Sequence, residues 1–159
     1  KDNNLINILK ENIKLLNELD RSIDIKFFSK SDNIIFNCDK EQINRVFLNL
    51  IKNSIESIHQ KVEKVANFDK KILIEIFDNN DHIKIVIEDN GIGFTIFKEK
   101  IKDILNPYFT TKKNGTGLGL AIVNKIINDH NGKINFIPIT NGAKVEINFN
   151  IDVDRNFNS

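Results

Sequence analysis

Leu5, Ile6, Leu9, Ile13 and Leu16 recur at helical spacing, which predicts an amphipathic first helix ending near Leu19-Asp20. Ile23-Asp24-Ile25-Lys26-Phe27 alternates and predicts a strand. Ile34-Ile35-Phe36 predicts a second, with Asp32-Asn33 at the turn between them. Asp39 is a good N-cap, and Gln42 three residues on completes a capping box. The long helix that follows turns Ile43, Phe47, Leu50, Ile51 and Ile58 inward and runs to about Lys61. Residues 62–70 read as a polar connection. Alternating runs at 72–76 and 83–87, separated by Asp78-Asn79-Asn80-Asp81, predict a hairpin. A short helical piece is expected over 96–105, an irregular segment over 106–114, and a helix that closes at His130-Asn131-Gly132 with glycine at C′. Runs at 133–137 and 144–149 predict a last hairpin. The sum is a two-layer α/β sandwich over residues 1–151, a mixed, mostly antiparallel sheet covered on one face by three helices, with a disordered tail at 152–159.

Composition narrows the function classes. The chain has 159 residues, 40% of them hydrophobic, enough for one core without disulfides or a structural metal. A net charge of +1 argues against a nucleic-acid binder or a membrane-surface binder. The single cysteine, Cys38, fits a reducing, cytoplasmic compartment and reads as a packed thiol, not a nucleophile. No apolar run reaches the length of a membrane span, and no signal peptide opens the chain. The start at Lys1 reads as part of something longer, a parent that could itself be an inner-membrane sensor.

The stretch richest in chemistry is Gly115-Thr116-Gly117-Leu118-Gly119-Leu120, which leads into an apolar helix. Glycines at alternate positions let backbone N–H groups approach a ligand closely, and a helix N-terminus favours anions. Taken alone, the pattern is equally a surface loop entering a core helix. On the long helix Asn49, Asn53 and Glu56 share one face at i, i+4 and i+7, bordering the apolar stripe. Such asparagines either bond neighbouring loops or offer amide oxygens to a hard cation such as Mg2+. Asp89-Asn90-Gly91-Ile92-Gly93 ends an apolar strand. It is either a plain turn or a partly buried carboxylate that accepts from an amino group on a planar ligand. Asn106-Pro107-Tyr108-Phe109-Thr110-Thr111-Lys112 joins aromatic anchors to hydroxyls and a cation, and reads as a pinned loop or as a lid that meets phosphate.

These segments, in this order, resemble the ATP-binding domain of sensor histidine kinases, in the gyrase–Hsp90–kinase–MutL superfamily with its Bergerat-type fold. The run 49–57 is similar to the N box, 89–93 to the G1 box, 106–112 to the F box and 115–120 to the G2 box. The form Asn-Pro-Tyr-Phe-Thr-Thr-Lys, the short lid and Glu56 after the second asparagine look most like nitrogen-regulation sensors of the NtrY and NtrB kind.

The resemblance implies that Asn53 holds Mg2+ at the ATP phosphates and that Asp89 accepts from the adenine amine. It implies that Gly91 and Gly93 let the backbone approach the base. Asn49, Thr110, Thr111, Lys112, Gly115, Thr116, Gly117, Leu118, Gly119 and Leu120 complete the nucleotide-binding set, with Ile87, Ile92, Leu118 and Ile147 as apolar walls. It also implies partners: a dimerisation and histidine-phosphotransfer domain of the same parent kinase, and a response regulator downstream. No residue of this chain is assigned as catalytic. Two departures stand out. Asn49 occupies the place of a water-activating glutamate, which favours transfer over hydrolysis. Ala143 stands where many relatives carry a threonine near the adenine. His59, His82 and His130 lack the setting of a phosphoacceptor and read as structural, with His59 and His130 at helix ends where imidazolium suits the dipole. Alternatives on the same residues are a protein serine kinase of the anti-sigma-factor type and a non-catalytic nucleotide-binding regulatory module.

Overall fold

Among the residues described, 1–94, 101–107 and 118–151 of a computed structural model, three apolar stripes become α1 (Leu5–Leu19), α2 (Lys40–Val62) and α3 (Gly119–Asp129). A 3-10 turn at Ile101–Leu105 is the part of the expected helical piece that falls within them. Most of the expected lid and the 152–159 tail lie outside them.

The alternating segments pair into one five-stranded sheet. Its strands are β2 (Asp24–Ser29), β4 (Lys71–Asp78), β5 (His82–Asp89), β6 (Gly132–Ile139) and β7 (Gly142–Asn150), in the order β2-β4-β5-β7-β6. Only β2–β4 is parallel, and both predicted hairpins form. Strand period two sends Ile72, Ile74 and Ile76 of β4, Ile83, Ile85 and Ile87 of β5, and Val145, Ile147 and Phe149 of β7 to the helix side, where all are buried. α2 packs on β5 and lies between α1 and α3. A buried Asn12 joins the first two helices by donating to Asn44 Oδ1 at 2.9 Å and to its own Ile8 carbonyl at 2.8 Å.

Three local expectations are corrected. The strand at Ile35–Asn37 (β3) does not turn back on β2. It pairs antiparallel with Asp2–Asn4 (β1). The β1 sequence is wholly polar, so no alternation announces it. Backbone pairing and Asn3, which donates to the Cys38 carbonyl at 2.9 Å, hold it instead.

The C′ residue of α3 is Asn131, with φ 57°, and Gly132 already belongs to β6. Glycine is required at 132 for space: a Cβ there would stand 2.6 Å from Phe149 Cδ1 and 2.8 Å from Ile127 Cγ2.

At the start of α2, Asp39 Oδ1 accepts from the Gln42 N–H at 3.1 Å as the capping box requires. The reciprocal bond is made by another residue: His130 Nε2 accepts the Asp39 N–H at 3.1 Å, and His130 Nδ1 lies 2.7 Å from the Ile126 carbonyl. The imidazole at the end of α3 thus works as an acceptor, which requires an unprotonated Nε2, and not as the imidazolium that the helix dipole suggests.

Gly132→Ala is expected to cost about 1–3 kcal/mol, because Phe149 is fully buried and its ring has no room to yield. Urea unfolding checks this. A loss below a few tenths of a kcal/mol would show that the packing against Gly132 is loose.

Candidate functional site

The core-facing alternation of β5 runs Ile83, Ile85, Ile87 and then Asp89, so the strand that builds the core also drives a carboxyl beneath α2. Asp89 is only 5% exposed. Its Oδ1 accepts from the Gly91 N–H at 2.9 Å. Burial pushes its pKa from 3.8 up to about 6, while the Gly91 amide and, more weakly, the Ser54 and Ser57 hydroxyls and the Ala143 amide pull it back.

Glycines let the backbone of this turn pack against its surroundings. A Cβ on Gly91 would lie 2.2 Å from Ser57 Oγ and 2.6 Å from the Ser57 carbonyl carbon. Gly93, at φ 69°, would drive a Cβ to 2.2 Å from the Gly142 carbonyl oxygen. Gly142 in turn comes so close to Asp89 that a Cβ would overlap its carbonyl oxygen. The Ile92 N–H donates to the Ser57 carbonyl at 3.2 Å, docking the turn on α2.

Asn90 locks the other side of the turn. Its Oδ1 accepts from the Lys71 N–H at 2.9 Å, its Nδ2 donates to the Asp69 carbonyl at 2.5 Å, and its carbonyl accepts from Lys61 Nζ at 2.8 Å. Lys61 also lies 4.6 Å from the Phe68 ring centroid. Asn90, Ser54 and Ser57 lie within the motif runs read from the sequence, but none of Asn90, Lys61, Ser54, Ser57 or Gly142 was given a role in the site there. Ser54 carried a signal all the same: it is a polar residue on the buried stripe between Ile51 and Ile58, and buried hydroxyls need partners.

Asn49 is half-buried and donates through Nδ2 to the Arg45 carbonyl at 2.9 Å. Its Oδ1 lies 3.1 Å from where a Cβ on Gly119 would stand, so the amide oxygen faces the first turn of α3. Asn53, one turn further along α2, is half-buried, and Glu56 is exposed. Among the sequence-predicted residues described, the fold therefore sets Asn49 against Gly119, Asp89 and Gly91 against the far half of α2, and Gly93 against Gly142. Ile92, Leu118 and Leu120 keep partial exposure, whereas Ile87 and Ile147 are sealed in the core. Thr110, Thr111, Lys112, Gly115, Thr116 and Gly117 lie outside the described residues.

Surface clefts also occur against α1, lined by Lys10, Ile13, Lys14 and Phe27 among others, and beside β1 and His130. Neither includes a residue of this site, and among the described residues no group of His, Cys, Asp and Glu has metal-ligand spacing. No described helix is long and apolar enough to cross a membrane.

Comparison with known proteins gives the same picture. Residues 38–154 match the family model described as histidine kinase-, DNA gyrase B-, and HSP90-like ATPase. A putative sensor histidine kinase, NtrY-like, of Rickettsia bellii (strain RML369-C) is 36% identical over 149 residues, covering 93% of this chain and 23% of that protein. The chain thus spans about a quarter of the length of that relative. The catalytic domain of the histidine kinase ThkA superposes with a TM-score of 0.81 at 30% identity, covering 94% of each chain. A structure of ThkA in complex with the response regulator protein TrrA superposes at 0.78 and 26% identity, covering 98% of this chain and 42% of that one.

A carboxyl whose native pKa is raised binds its proton more tightly folded than unfolded. Asp89 therefore favours the fold most below pH 3.8, and that contribution is lost as pH rises through about 6. The loss is about 3 kcal/mol by pH 7.5. Asp89→Asn keeps an acceptor for Gly91 but carries no charge. The nucleotide-free variant is expected to be the more stable protein at pH 7.5 and to lack this slope, as urea unfolding at pH 5 and 7.5 would show. Parallel pH dependence in both proteins would contradict it.

Proposed function

We propose that this chain, which belongs to the histidine kinase-, DNA gyrase B- and HSP90-like ATPase family, is the catalytic ATP-binding domain of a sensor histidine kinase. In this reading it presents ATP for transfer of its γ-phosphoryl group to a histidine on a separate dimerisation domain of the parent protein. The observation that carries the reading is the buried Asp89 carboxylate at the end of β5, set in a turn whose glycines let its backbone pack against α2 and Gly142. A carboxylate has more acceptor sites than the Gly91 amide fills, so it can also accept from an amine, and the adenine amine is the donor it would read.

The phosphates fall to the other end of the site. Asn49 and Asn53 lie one turn apart on α2, and the Asn49 amide oxygen faces the N-terminal turn of α3. That donor set fits Mg2+, which takes hard oxygen ligands and draws most of its charge balance from substrate phosphates. Asn53 would hold the ion, whose contribution is neutralising the phosphate oxygens. Thr110, Thr111, Lys112 and the backbone of 115–120 would cover the phosphates from the other side.

The acceptor must come from outside the chain. Asn49 cannot take a proton from a nucleophile. Each histidine is already engaged: His59 Nε2 lies 2.6 Å from Asp20 Oδ2, His82 Nδ1 lies 2.6 Å from Asp81 Oδ1, and His130 bridges α2 and α3. The ThkA–TrrA complex supports a response regulator as the downstream partner.

Calorimetry with ATP tests the site. Asp89→Asn is expected to weaken binding by about 10- to 100-fold, the range for a hydrogen bond to a charged group. Asn53→Ala is expected to remove mainly the gain in affinity that Mg2+ gives, and equal binding with and without Mg2+ in both proteins would remove Asn53 from the metal site. Mixing the chain with the helical domain of its parent and labelled ATP is expected to yield an acid-labile, base-stable phosphoprotein. An acid-stable product would point to a serine kinase instead.

A further inference from the structure

A serine inside a helix commonly satisfies its hydroxyl by donating to the carbonyl four residues back. Ser57 does not. Its Oγ is sealed from water and meets no hydrogen-bond partner among the described residues. The hydroxyl lies directly under the Gly91 Cα and close enough to the Asp89 carboxyl to favour its charged form, yet short of a formed hydrogen bond. The Ser57 backbone cannot move to improve this, because its carbonyl holds the Ile92 N–H. Rotation of the side chain is the freedom that remains.

A buried hydroxyl without a partner is a cost that alanine would avoid. It makes sense where a second state supplies the partner. Among the described residues the groups that face the Asp89 carboxyl are uncharged: Ser54 and Ser57 from α2, Gly91 from its own turn, Ala143 across on β7 and Ile72 across on β4. The one ammonium that α2 turns toward this loop, Lys61, is held on the Asn90 carbonyl, and Lys71 pairs with Asp69 at 3.6 Å. Among the described residues no cation neutralises the carboxylate, so there hydrogen bonds carry its charge. A planar base docking over it removes the remaining water and returns a single N–H.

We propose that Ser57 is a positioning residue for base recognition, its hydroxyl turning onto the Asp89 carboxyl when that group ionises, so that the carboxylate meets the incoming amine charged and oriented. This rests on the reading of the site as a nucleotide site. The role is distinct from that of Asp89, since Ser57 acts on the ligand only through that carboxylate.

The test is Ser57→Ala, alone and with Asp89→Asn, in calorimetric titrations with ADP between pH 5.5 and 8.5. Each variant is expressed as a ratio to its parent so that titration of the phosphates cancels. The single variant is expected to bind within about twofold of the parent at pH 8.5 and about tenfold more weakly at pH 5.5, as an upward move of about one unit in the carboxyl's midpoint requires. In the Asp89→Asn background the same change is expected to cost less than about twofold at either pH. Thermal unfolding of the nucleotide-free single variant at pH 5, where the carboxyl is mostly protonated in both proteins, is expected at or above the parent temperature, whereas a serine needed for the fold would lower it. A loss independent of pH, an equal loss in the Asp89→Asn background, or no loss would each overturn the proposal. If the parent chain binds no ADP, the nucleotide reading itself falls. The carboxyl titration of Asp89 followed by carbon NMR then judges Ser57 alone: a higher midpoint in the variant supports it, and an unchanged one overturns it.

Discussion

A carboxylate placed in the interior, with no counter-cation among the described residues, is the constraint around which this fold is arranged. Asp89 stands where strand periodicity would put a fourth core isoleucine. Among those residues its charge is tolerated through dipoles, those of a following amide, two hydroxyls of α2 and the Ala143 amide. Such a group is a liability to the empty fold and an asset to a ligand with an N–H to give, which is the usual trade between stability and function at a binding site.

The same carboxylate explains why the neighbouring backbone is so tightly drawn. Gly91 packs on the α2 backbone at Ser57, Gly93 on Gly142, and Gly142 on the Asp89 carbonyl. A single methyl at any of these three positions would push β5, β7 or α2 away from the carboxyl. Asn90, between the first two elements of that chain of contacts, spends both ends of its amide on the start of β4. The turn is thus held from two sides and has no conformational freedom to spend when a base arrives.

Much of this was legible in the sequence, for identifiable reasons. Long amphipathic stripes and alternating runs fix α1, α2, α3 and both hairpins, because burial of Ile-rich faces overrides everything local. The run Asp89 to Gly93 alone reads equally as a plain turn; what singled it out is the apolar strand before it, which can carry a carboxylate into the interior, and the order of segments it shares with the histidine-kinase domain. What stayed hidden depends on partners distant in sequence. β1 is polar throughout and is a strand because β3 lies beside it. Gln42 completes a capping box on paper, yet the second bond comes from His130, 91 residues away. Ser54 and Ser57 look like ordinary helix serines until the fold brings Asp89 beneath them. Gly132 looks like a helix terminator, and only the position of Phe149 shows that its missing side chain is a matter of space.

The His130 contact has a geometric consequence for the phosphate end of the site. It ties the last turn of α3 to Asp39 at the start of α2, while Asn49 on α2 meets Gly119 at the start of α3. Ten residues separate Asp39 from Asn49 and eleven separate Gly119 from His130, so at 1.5 Å per residue the two spans match at about 15 Å. α3 and the first half of α2 therefore run antiparallel and are pinned at both ends. The N-terminus of α3, with its positive dipole end, is set at a defined height on α2 beside the amide face of Asn49 and Asn53. A helix fixed at both ends can serve as an anchor for whatever precedes it in the chain. If residues 115–120 cover phosphate as proposed, they need to supply only N–H groups and reach, because the matched helices already set the height of the α3 N-terminus on α2.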